Sequence, residues 1–323
     1  MEKRRKDVFR YQKYFGEIVL SILVTGGAGF IGSNLVEDLL ASGQEVVVLD
    51  DFSTGSDENL KDLSGSLRIV EASCLDLPDL EILPDGIYHL GIPSSSPMYK
   101  RSPRLVGEAI NGMIAVLELA KKTGARVVYA STSSLYSGQT PPHREDMEVL
   151  VTDYYTEARF SMERMAELYR RLFGVEAVGM RFFSVYGPHE AAKKQYANII
   201  TQFLWEMMAG RAPVIYGDGT QTRDFTYVKD ITRALKLAME SDFSGALNVG
   251  TGKSYSFNEV AEILAEKMDL SLRAEHVDNP IKNYVQDTLA DTRKAEEVLG
   301  FRSRCSLEDG IDELIRCYGS RVD

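Results

Sequence analysis

Cysteine and histidine, the usual side chains of zinc sites, are scarce in this chain of 323 residues. The three cysteines, Cys74, Cys305 and Cys317, have no metal-like spacing, and their odd number favours reduced thiols and a cytoplasmic location. The four histidines are scattered, so we expect no zinc site. No apolar run approaches the roughly 18 residues that span a bilayer, and the basic start carries no signal-peptide pattern. The sequence therefore predicts a soluble protein without a metal or a membrane partner.

Positive charge is also in deficit, because 37 lysines and arginines face 48 aspartates and glutamates, for a net charge of −11. A field of this sign repels nucleic acids and anionic membranes, so neither is an expected partner. An anionic small substrate would need local positive groups or backbone amides in its binding site. The remaining composition, 44% hydrophobic and 26% charged, is that of a globular protein and excludes collagen, disorder and a coiled coil.

Short apolar runs alternate with helical patterns along much of the chain. The predicted strands are Ile18–Val24, Glu45–Asp50, Leu67–Val70, Gly86–Leu90, Arg126–Ala130 and Ala177–Arg181. The predicted helices are Ile31–Leu40, Arg104–Thr123, Thr156–Phe173 and Phe257–Lys267. Two of the runs, EVVVLD and RVVYA, are continuously apolar, which is typical of parallel strands covered on both faces. Strands that alternate with helices predict an α/β fold with a doubly wound parallel sheet of the Rossmann type.

The character of the sequence changes after Gly187-Pro188, where apolar strands become sparser and glycine–aspartate turns appear. This pattern favours a smaller C-terminal α/β lobe that binds substrate at the mouth of the sheet. We therefore expect an N-terminal extension over residues 1–17, a Rossmann domain over 18–186 and a substrate lobe over 187–323. No linker separates the last two parts, so the lobe is expected to be partly interleaved with the Rossmann domain.

A glycine-rich turn follows the first predicted strand and opens the first predicted helix. Its sequence, TGGAGFIG, places Gly26, Gly29 and Gly32 in a GxxGxxG spacing, which differs from the common GxGxxG fingerprint. Such glycines allow a tight turn, close approach of a pyrophosphate and close helix packing, and the helix N-terminus favours phosphate. Asp50 ends the second strand, where its carboxylate can accept from ribose hydroxyls and repel a 2′-phosphate. These features predict NAD, rather than NADP, as the cofactor.

Two polar segments lie where a doubly wound sheet places its ligands, at the carboxyl ends of strands. STSSLY, residues 131–136, follows the strand RVVYA, and Tyr155 begins a helix with Arg159 one turn later. This i,i+4 spacing puts the phenol and the guanidinium on one helix face. A phenol titrates near 10, so it acts as a base at neutral pH only beside positive charge, here Arg159 and an oxidised nicotinamide. The same spacing also fits an amphipathic helix with a packed tyrosine and a surface arginine.

A series of motifs covers about residues 18–318: TGGAGFIG, VVVLDDFSTG, YHLG, STSSLY, YxxxR, RFFSVYGP, YGDGTQTRDFTYVKD, NVGTG and LADTRKAEEVLGF. In these motifs the chain resembles the extended short-chain dehydrogenase/reductases, and among them the NAD-dependent nucleotide-sugar epimerases and dehydratases, such as UDP-galactose 4-epimerases. The resemblance implies tightly held NAD and a nucleotide-diphosphate sugar bound between the two lobes. It also implies a homodimer built through the helices Arg104–Thr123 and Thr156–Phe173.

The resemblance also implies roles for individual residues. Tyr155 would be the base that takes a proton from the sugar hydroxyl, Thr132 would hydrogen-bond the same oxygen, and Arg159 would contact the nicotinamide ribose. The other implied cofactor residues are Gly26, Gly29, Phe30, Ile31, Gly32, Asp50, Asp51, Phe52, Thr54, Gly55, Ser73 and Leu90. The other implied substrate residues are Ser95, Ser133, Ser184, Asn198, Tyr216, the diphosphate clamp Arg223, and Lys282.

Four positions depart from the pattern of the family. Arg159 stands where the family has lysine, which is not a conservative exchange because a guanidinium is planar, longer and always charged. Ser184 replaces the asparagine of RxFNxYG, and Ser73 falls where an aspartate often contacts adenine. The family has a second arginine that binds the diphosphate, and this chain has no arginine in the matching segment, NPIKNY, where Lys282 could supply the positive charge instead. These changes affect the expected rate and substrate more than cofactor binding.

The residues after Thr132 guide the choice of reaction. Dehydratases and decarboxylases of the family carry acidic residues there, whereas this chain has Ser133 and Ser134, whose hydroxyls have no suitable pKa for that chemistry. A fucose-synthase-like reaction uses a cysteine and a histidine in the active site. No cysteine of this chain lies near STSSLY or Tyr155 in the sequence, so that reaction is not expected. We therefore expect epimerisation at C4 of a UDP-hexose through a transient 4-keto sugar. The open alternatives are another nucleotide-sugar reaction (dehydration, decarboxylation or reduction) and an NAD-binding protein weakened by Arg159.

Overall fold

A computed structural model describes residues 21–280 and 285–319 of the chain. The expected N-terminal extension over residues 1–17 and the predicted substrate residue Lys282 lie outside the described residues. The strands are β1 Ser21–Thr25, β2 Glu45–Asp50, β3 Leu67–Glu71, β4 Gly86–His89, β5 Arg126–Thr132, β6 Ala177–Phe182, β7 Val185–Tyr186, β8 Val214–Tyr216, β9 Thr222–Arg223, β10 Thr226–Tyr227, β11 Gly245–Val249, β12 Tyr255–Ser256 and β13 Glu275–Val277. The helices are α1 Phe30–Ala41, α2 Ser96–Arg101, α3 Leu105–Thr123, α4 Tyr154–Phe173, α5 Ile199–Met208, α6 Val228–Glu240, α7 Phe257–Lys267, α8 Arg293–Leu299 and α9 Leu307–Gly319.

The large sheet is parallel throughout and has the order β11-β6-β5-β4-β1-β2-β3. Strands β1 to β6 overlap the six predicted strands, so the doubly wound fold class is confirmed. The seventh strand, β11, was not predicted. It pairs with β6 from Gly245↔Val178 to Val249↔Phe182, so residues beyond 187 complete the first sheet.

Two layers of helices cover the sheet, as its continuously apolar strands require. One face packs against α1, α6 and α8 through a core that includes Leu35, Ile231 and Ala295. The other face packs against α3 and α4, with Val116 and Met162 among the buried side chains. The carboxyl ends of the strands remain open between these layers and the second lobe.

Helix α4 begins at a well-defined point. The side chain of Asp153 accepts the N–H of Thr156 at 2.8 Å, and the Thr156 hydroxyl accepts the N–H of Asp153 at 3.0 Å, which forms a capping box. The helix ends at Gly174, whose φ of +69° is the left-handed conformation that favours glycine. Because the box lies at its start, the phenol of Tyr155 is held in the first turn.

The second lobe has its own core, formed mainly by α5, α7 and α9 with small two-stranded sheets around them. Phe30, the first residue of α1, is buried in that core. The lobe therefore packs directly on the glycine turn. None of the helices in residues 21–280 and 285–319 is long and apolar enough to cross a bilayer.

Candidate active site

The glycine turn has no room for side chains. A Cβ on Gly32 would lie 2.0 Å from the carbonyl oxygen of Gly26, and one on Gly26 would lie 2.5 Å from Cα of Gly91. Gly26 itself has a φ of +68°. Gly29 is the N-cap of α1, and no described side chain caps that helix end. The backbone therefore lies open to a phosphate at the positive end of a helix.

Asp50 lies at the end of β2, beside this turn, and is only 6% exposed. Its Oδ2 accepts the N–H of Ala28 at 2.9 Å, and its Oδ1 accepts the N–H of Phe52 at 2.8 Å. Burial raises the pKa of Asp50, although these backbone bonds oppose the rise. A carboxylate has about four acceptor sites, so the side chain retains capacity to accept from a ribose hydroxyl.

A cleft of about 520 Å³ runs along the carboxyl ends of the strands. Fifteen of the predicted site residues line it together: Gly26, Gly29, Phe30, Ile31, Gly32, Asp50, Asp51, Thr54, Ser73, Leu90, Thr132, Ser133, Tyr155, Arg159 and Ser184. The fold thus brings the glycine turn, the STSSLY segment and the start of α4 to one site. This is the place where an open α/β sheet binds its ligands.

The phenol of Tyr155 and the guanidinium of Arg159 lie against each other at the start of α4. Cζ of Arg159 is 5.0 Å from the centroid of the Tyr155 ring. Nη2 of Arg159 donates to the carbonyl oxygen of Pro93 at 2.8 Å, and the residue is 3% exposed. The surface arginine that the amphipathic interpretation requires is therefore absent at this position. Nε of Arg159 is buried and has no hydrogen-bond partner among the described residues, so a donor lies where the cofactor ribose is expected.

Thr132 ends β5 and caps the short 3-10 turn Ser133–Tyr136. Its Oγ1 accepts the N–H of Ser134 at 3.1 Å, which leaves the hydroxyl hydrogen free to donate to a ligand. The residue is buried yet lines the cleft. Tyr155 also packs edge-on against Tyr99, with ring centroids 5.6 Å apart. These contacts restrict the positions of both side chains before any ligand binds.

Three predicted residues lie beside the cleft rather than in its lining. Phe52 packs against the core between the sheet and helices α1, α6 and α8, and its φ is +55°. Gly55 lies against Ala28 and the carboxylate of Asp50, each about 3 Å from where its Cβ would be. Ser95 is the N-cap residue of α2, and its hydroxyl is buried without a hydrogen-bond partner among the described residues.

Three predicted substrate residues belong to the second lobe and lie outside the lining. Asn198 caps α5, accepting the N–H of Ile200 at 3.0 Å and donating to the carbonyl oxygen of Val185 at 3.0 Å. Tyr216 is 43% exposed on β8. The guanidinium of Arg223 donates to backbone carbonyls and stacks on a phenylalanine ring; its partners are Thr222, Val285, Gln286 and Phe257.

A buried polar network behind the cleft was not predicted. Glu163 accepts the hydroxyl of Ser131 at 2.6 Å and pairs with Arg181 through Nε at 2.9 Å and Nη2 at 2.7 Å. Nη1 of Arg181 donates to the phenol oxygen of Tyr136, which donates to Asn248 on β11 at 2.7 Å. The helical spacing of Glu163 from Arg159 was the signal available in the sequence, because i,i+4 residues share a face.

His89 and Cys74 lie side by side at the cofactor end of the cleft. His89 is fully buried, and its Nδ1 is 2.8 Å from Oγ1 of Thr25. Burial and the nearby charge of Arg159 lower the pKa of His89 to about 3, so the imidazole is neutral. Burial raises the pKa of the adjacent Cys74 thiol to about 12, which makes it unreactive. Both residues are therefore parts of the wall.

The comparison with known proteins settles the family. The NAD dependent epimerase/dehydratase family model matches residues 22–250. This chain belongs to that family. A curated relative, UDP-glucuronic acid decarboxylase 1 of Arabidopsis thaliana, is 34% identical over 316 residues, which cover 94% of this chain and 71% of the relative.

Solved structures show the same fold. UDP-glucose 4-epimerase from Thermotoga maritima, determined with UDP-glucose, is 30% identical and superimposes with a TM-score of 0.89, covering 94% of this chain and 100% of that one. MoeE5 in complex with UDP-glucuronic acid and NAD is 33% identical with a TM-score of 0.82, again covering 94% and 100%.

Family membership confirms the predicted resemblance, and NAD is the cofactor of this enzyme. The residues present fit that molecule. The open glycine turn suits its diphosphate, Asp50 suits a ribose, and the unpartnered Nε of Arg159 lies beside Tyr155. The decarboxylase and the 4-epimerase named above are enzymes of different reactions, so the family alone does not identify the reaction.

Proposed function

We propose that this enzyme epimerises C4 of a UDP-hexose. The observation that carries the proposal is the meeting of Tyr155 and Thr132 in one cleft with Ser133 and Ser134, where the dehydratases and decarboxylases of the family have acidic residues. When bound, NAD supplies the oxidant that removes a hydride from the sugar carbon and the reductant that returns it. The reaction then needs no further acid or base than the phenol.

The chain's own residues would move and hold one proton. Tyr155 would take the proton of the C4 hydroxyl during oxidation and give it back during reduction. Cζ of Arg159 lies 5.0 Å from the centroid of the Tyr155 ring, so a positive charge stands beside this phenol. Thr132 would donate a hydrogen bond to the same sugar oxygen, because its own oxygen is already aligned by the N–H of Ser134. Epimerisation further requires the keto sugar to present its other face.

Decarboxylation of UDP-glucuronic acid is the second candidate, because the curated relative named above has that activity. A uronate oxidised at C4 is a β-keto acid. Loss of carbon dioxide breaks its C5–C6 bond, and the electrons remain in an enolate that must take up a proton at C5. The hydroxyls of Ser133 and Ser134 have no suitable pKa to give that proton. The cleft therefore favours epimerisation over decarboxylation.

The products distinguish the two candidates. Purified enzyme is incubated with UDP-glucose, UDP-galactose, their N-acetyl forms and UDP-glucuronic acid, and the products are followed by NMR and by carbon dioxide release. We expect a C4 epimer from at least one of these sugars and no carbon dioxide. A UDP-pentose and carbon dioxide from UDP-glucuronic acid would instead establish the decarboxylase, and no epimer from any sugar would contradict our proposal.

The phenol can be tested with a neighbouring control. Tyr155→Phe should lower kcat by about 10²–10⁴-fold, the usual contribution of general acid–base catalysis, while NAD stays bound. Tyr154→Phe makes the same change at the preceding residue, which is 51% exposed, and should leave kcat unchanged. Equal activity of the two variants would remove Tyr155 from the mechanism.

The exchange of lysine for arginine is proposed to leave a working site. Arg159→Lys should change kcat by less than about tenfold, or about 1.4 kcal/mol in the barrier, because both side chains supply the positive charge. Arg159→Met, which removes the charge, should lower kcat much further. A large gain of turnover in Arg159→Lys would instead show that the native site is catalytically weakened.

We also propose that the enzyme is a cytoplasmic homodimer joined through α3 and α4. Large apolar side chains near the end of α4 are exposed, among them Leu168 at 43% and Leu172 at 62%. Helical bundles at two-fold interfaces bury such side chains. Light scattering on the NAD-loaded enzyme should give twice the mass of the chain, and a monomer at micromolar concentration would contradict this.

A further inference from the structure

Lys193 brings positive charge to the cleft from the second lobe. Among the described residues that line the cleft, Arg159 and Lys193 carry a positive charge, and only Lys193 follows residue 187. It lies in a short kinked segment, Ala191–Tyr196. Because the chain has a net charge of −11, an anion in this cleft depends on such local groups.

The ammonium of Lys193 lies where the second lobe meets the phosphate-binding turn. Its Nζ is 4.9 Å from the centroid of the Phe30 ring, and Phe30 opens α1 directly after Gly29. Nζ donates to Oε1 of Glu190 at 2.9 Å. Since an ammonium has three N–H donors, this bond leaves further donors for a ligand.

Glu190 holds that ammonium in place. Its side chain is completely buried, and it accepts the backbone N–H of Asn198 at 2.8 Å and the hydroxyl of Thr201 at 2.5 Å in addition to Lys193. A buried carboxylate with three donors has little freedom to move, and it needs a cationic partner. Lys193 is therefore fixed at the cleft before a ligand arrives.

The other candidate cations have different partners. Arg159 stacks on Tyr155 and donates to the carbonyl oxygen of Pro93. Arg223, the diphosphate clamp expected from the sequence, donates to carbonyl oxygens of its own lobe and lies outside the lining. The phosphates of NAD are expected to bind the backbone N–H groups of the glycine turn. An anionic group of the substrate remains as the ligand for Lys193.

We infer that Lys193 binds an anionic group of the nucleotide sugar, either its diphosphate or a carboxylate on the sugar. The identity of the ligand as a UDP-sugar rests on the proposed function. Ligand binding, rather than turnover, is therefore the measurement that tests the inference. Failure of the enzyme to epimerise any sugar would leave these affinities measurable, so the two ideas can fail separately.

Titration calorimetry on NAD-loaded enzyme compares UDP, UDP-glucose and UDP-glucuronic acid. Lys193→Met should weaken all three at least tenfold if the ammonium binds the diphosphate, and only UDP-glucuronic acid if it binds a carboxylate. Lys193→Arg should restore most of the affinity, because it keeps the charge. Lys194→Met, the same change at the exposed neighbour, should bind all three as the wild type does.

A buried Glu190 without its partner could prevent Lys193→Met from folding, so Glu190→Gln/Lys193→Met removes both charges and is measured in parallel. Affinities within twofold of wild type for all three ligands would overturn the inference. A loss of NAD binding with unchanged affinity for the three ligands would also overturn the inference, because the ammonium of Lys193 would then bind the cofactor and not the nucleotide sugar. Equal losses in Lys193→Met and Lys194→Met would also overturn it, as an effect of overall charge.

Discussion

Glu163 joins the helix that carries Tyr155 to the strand that carries Thr132, and Glu163→Gln tests whether this link positions them. The carboxylate accepts the hydroxyl of Ser131, the residue before Thr132, and both donors of the Arg181 fork. Burial would lower the pKa of Arg181, but the hydrogen bonds and charge of Glu163 outweigh it and raise that pKa. The guanidinium of Arg181 is thus charged, and the pair that it forms with Glu163 is buried.

The amide introduced by Glu163→Gln would keep the shape and one acceptor oxygen but leave the Arg181 charge unpaired. Breaking a buried ion pair costs about 3–5 kcal/mol, and the retained acceptor places this substitution near about 3 kcal/mol of unfolding free energy. Ser131 would lose its acceptor or share it with Arg181, so the end of β5 would shift relative to α4. Because a misplacement of about 1 Å can lower a rate by about 10²-fold, we expect kcat to fall by about 10- to 100-fold with little change in KM.

Asp230→Asn is the matched control, because it makes the same chemical change at a buried carboxylate away from the cleft. Asp230 pairs with Arg233 and accepts the backbone N–H groups of Arg304 and Cys305. Urea unfolding should show comparable losses of stability in both variants, while kcat at a temperature where both are folded should fall only in Glu163→Gln. A wild-type kcat in folded Glu163→Gln would refute the positioning role. An equal fall of kcat in both variants would assign the effect to lost stability.

Three further predictions concern the cofactor end of the cleft. Gly32→Ala places a Cβ 2.0 Å from the carbonyl oxygen of Gly26, so the turn must open by about 1 Å. We therefore expect this variant to lose NAD during gel filtration. The control Gly107→Ala, whose Cβ has no atom within 4 Å, should retain NAD. Asp50→Asn should lower the affinity for NAD about tenfold in calorimetry and reduce the ratio of NAD affinity to NADP affinity. If that ratio stayed unchanged, the carboxylate of Asp50 would not be the group that discriminates against the 2′-phosphate. Folding lowers the pKa of His89 from 6.5 to about 3. Above pH 6.5 the imidazole is neutral in both the folded and the unfolded state, so it does not lower the stability. Between pH 6.5 and 3 the unfolded state binds a proton that the folded state does not, so the free energy of unfolding falls by about 1.4 kcal/mol per pH unit as the pH drops. Urea unfolding of His89→Asn should therefore depend less on pH, and parallel pH profiles would disprove the assignment.

Sequence patterns identified six of the seven strands of the large sheet and missed β11. The run GALNV of β11 has a glycine at its start and a polar Asn248 near its end. In the fold, Asn248 is completely buried because Tyr136 donates to its side chain, which in turn donates to the carbonyl oxygen of His143. Those partners come from distant parts of the chain. A polar residue that is satisfied only by tertiary contacts gives no periodic signal for a buried strand.

The same distinction separates the site residues that were predictable from those that were not. The glycine turn, Asp50 and Tyr155 lie in segments whose local chemistry defines a role, so the sequence was sufficient to bring them together at the sheet edge. Glu163 and Lys193 have roles that depend on which elements pack nearby, and nothing in their immediate sequence specifies those neighbours. The orientation of Arg223 is likewise set by carbonyl oxygens that fold against it.

Arg159 shows how a departure from the family pattern can be compatible with the site. A guanidinium presents a flat face and donors that spread in its plane, so it can stack on a ring and bond at its edge at once. Here the face lies against Tyr155 while Nη2 donates to the carbonyl oxygen of Pro93 in the loop after β4. A lysine would supply a single ammonium at this position, without the flat face or the donors spread in its plane. The arginine therefore keeps the positive charge beside the phenol and also ties α4 to the loop, which is why we expect it to be a working substitute.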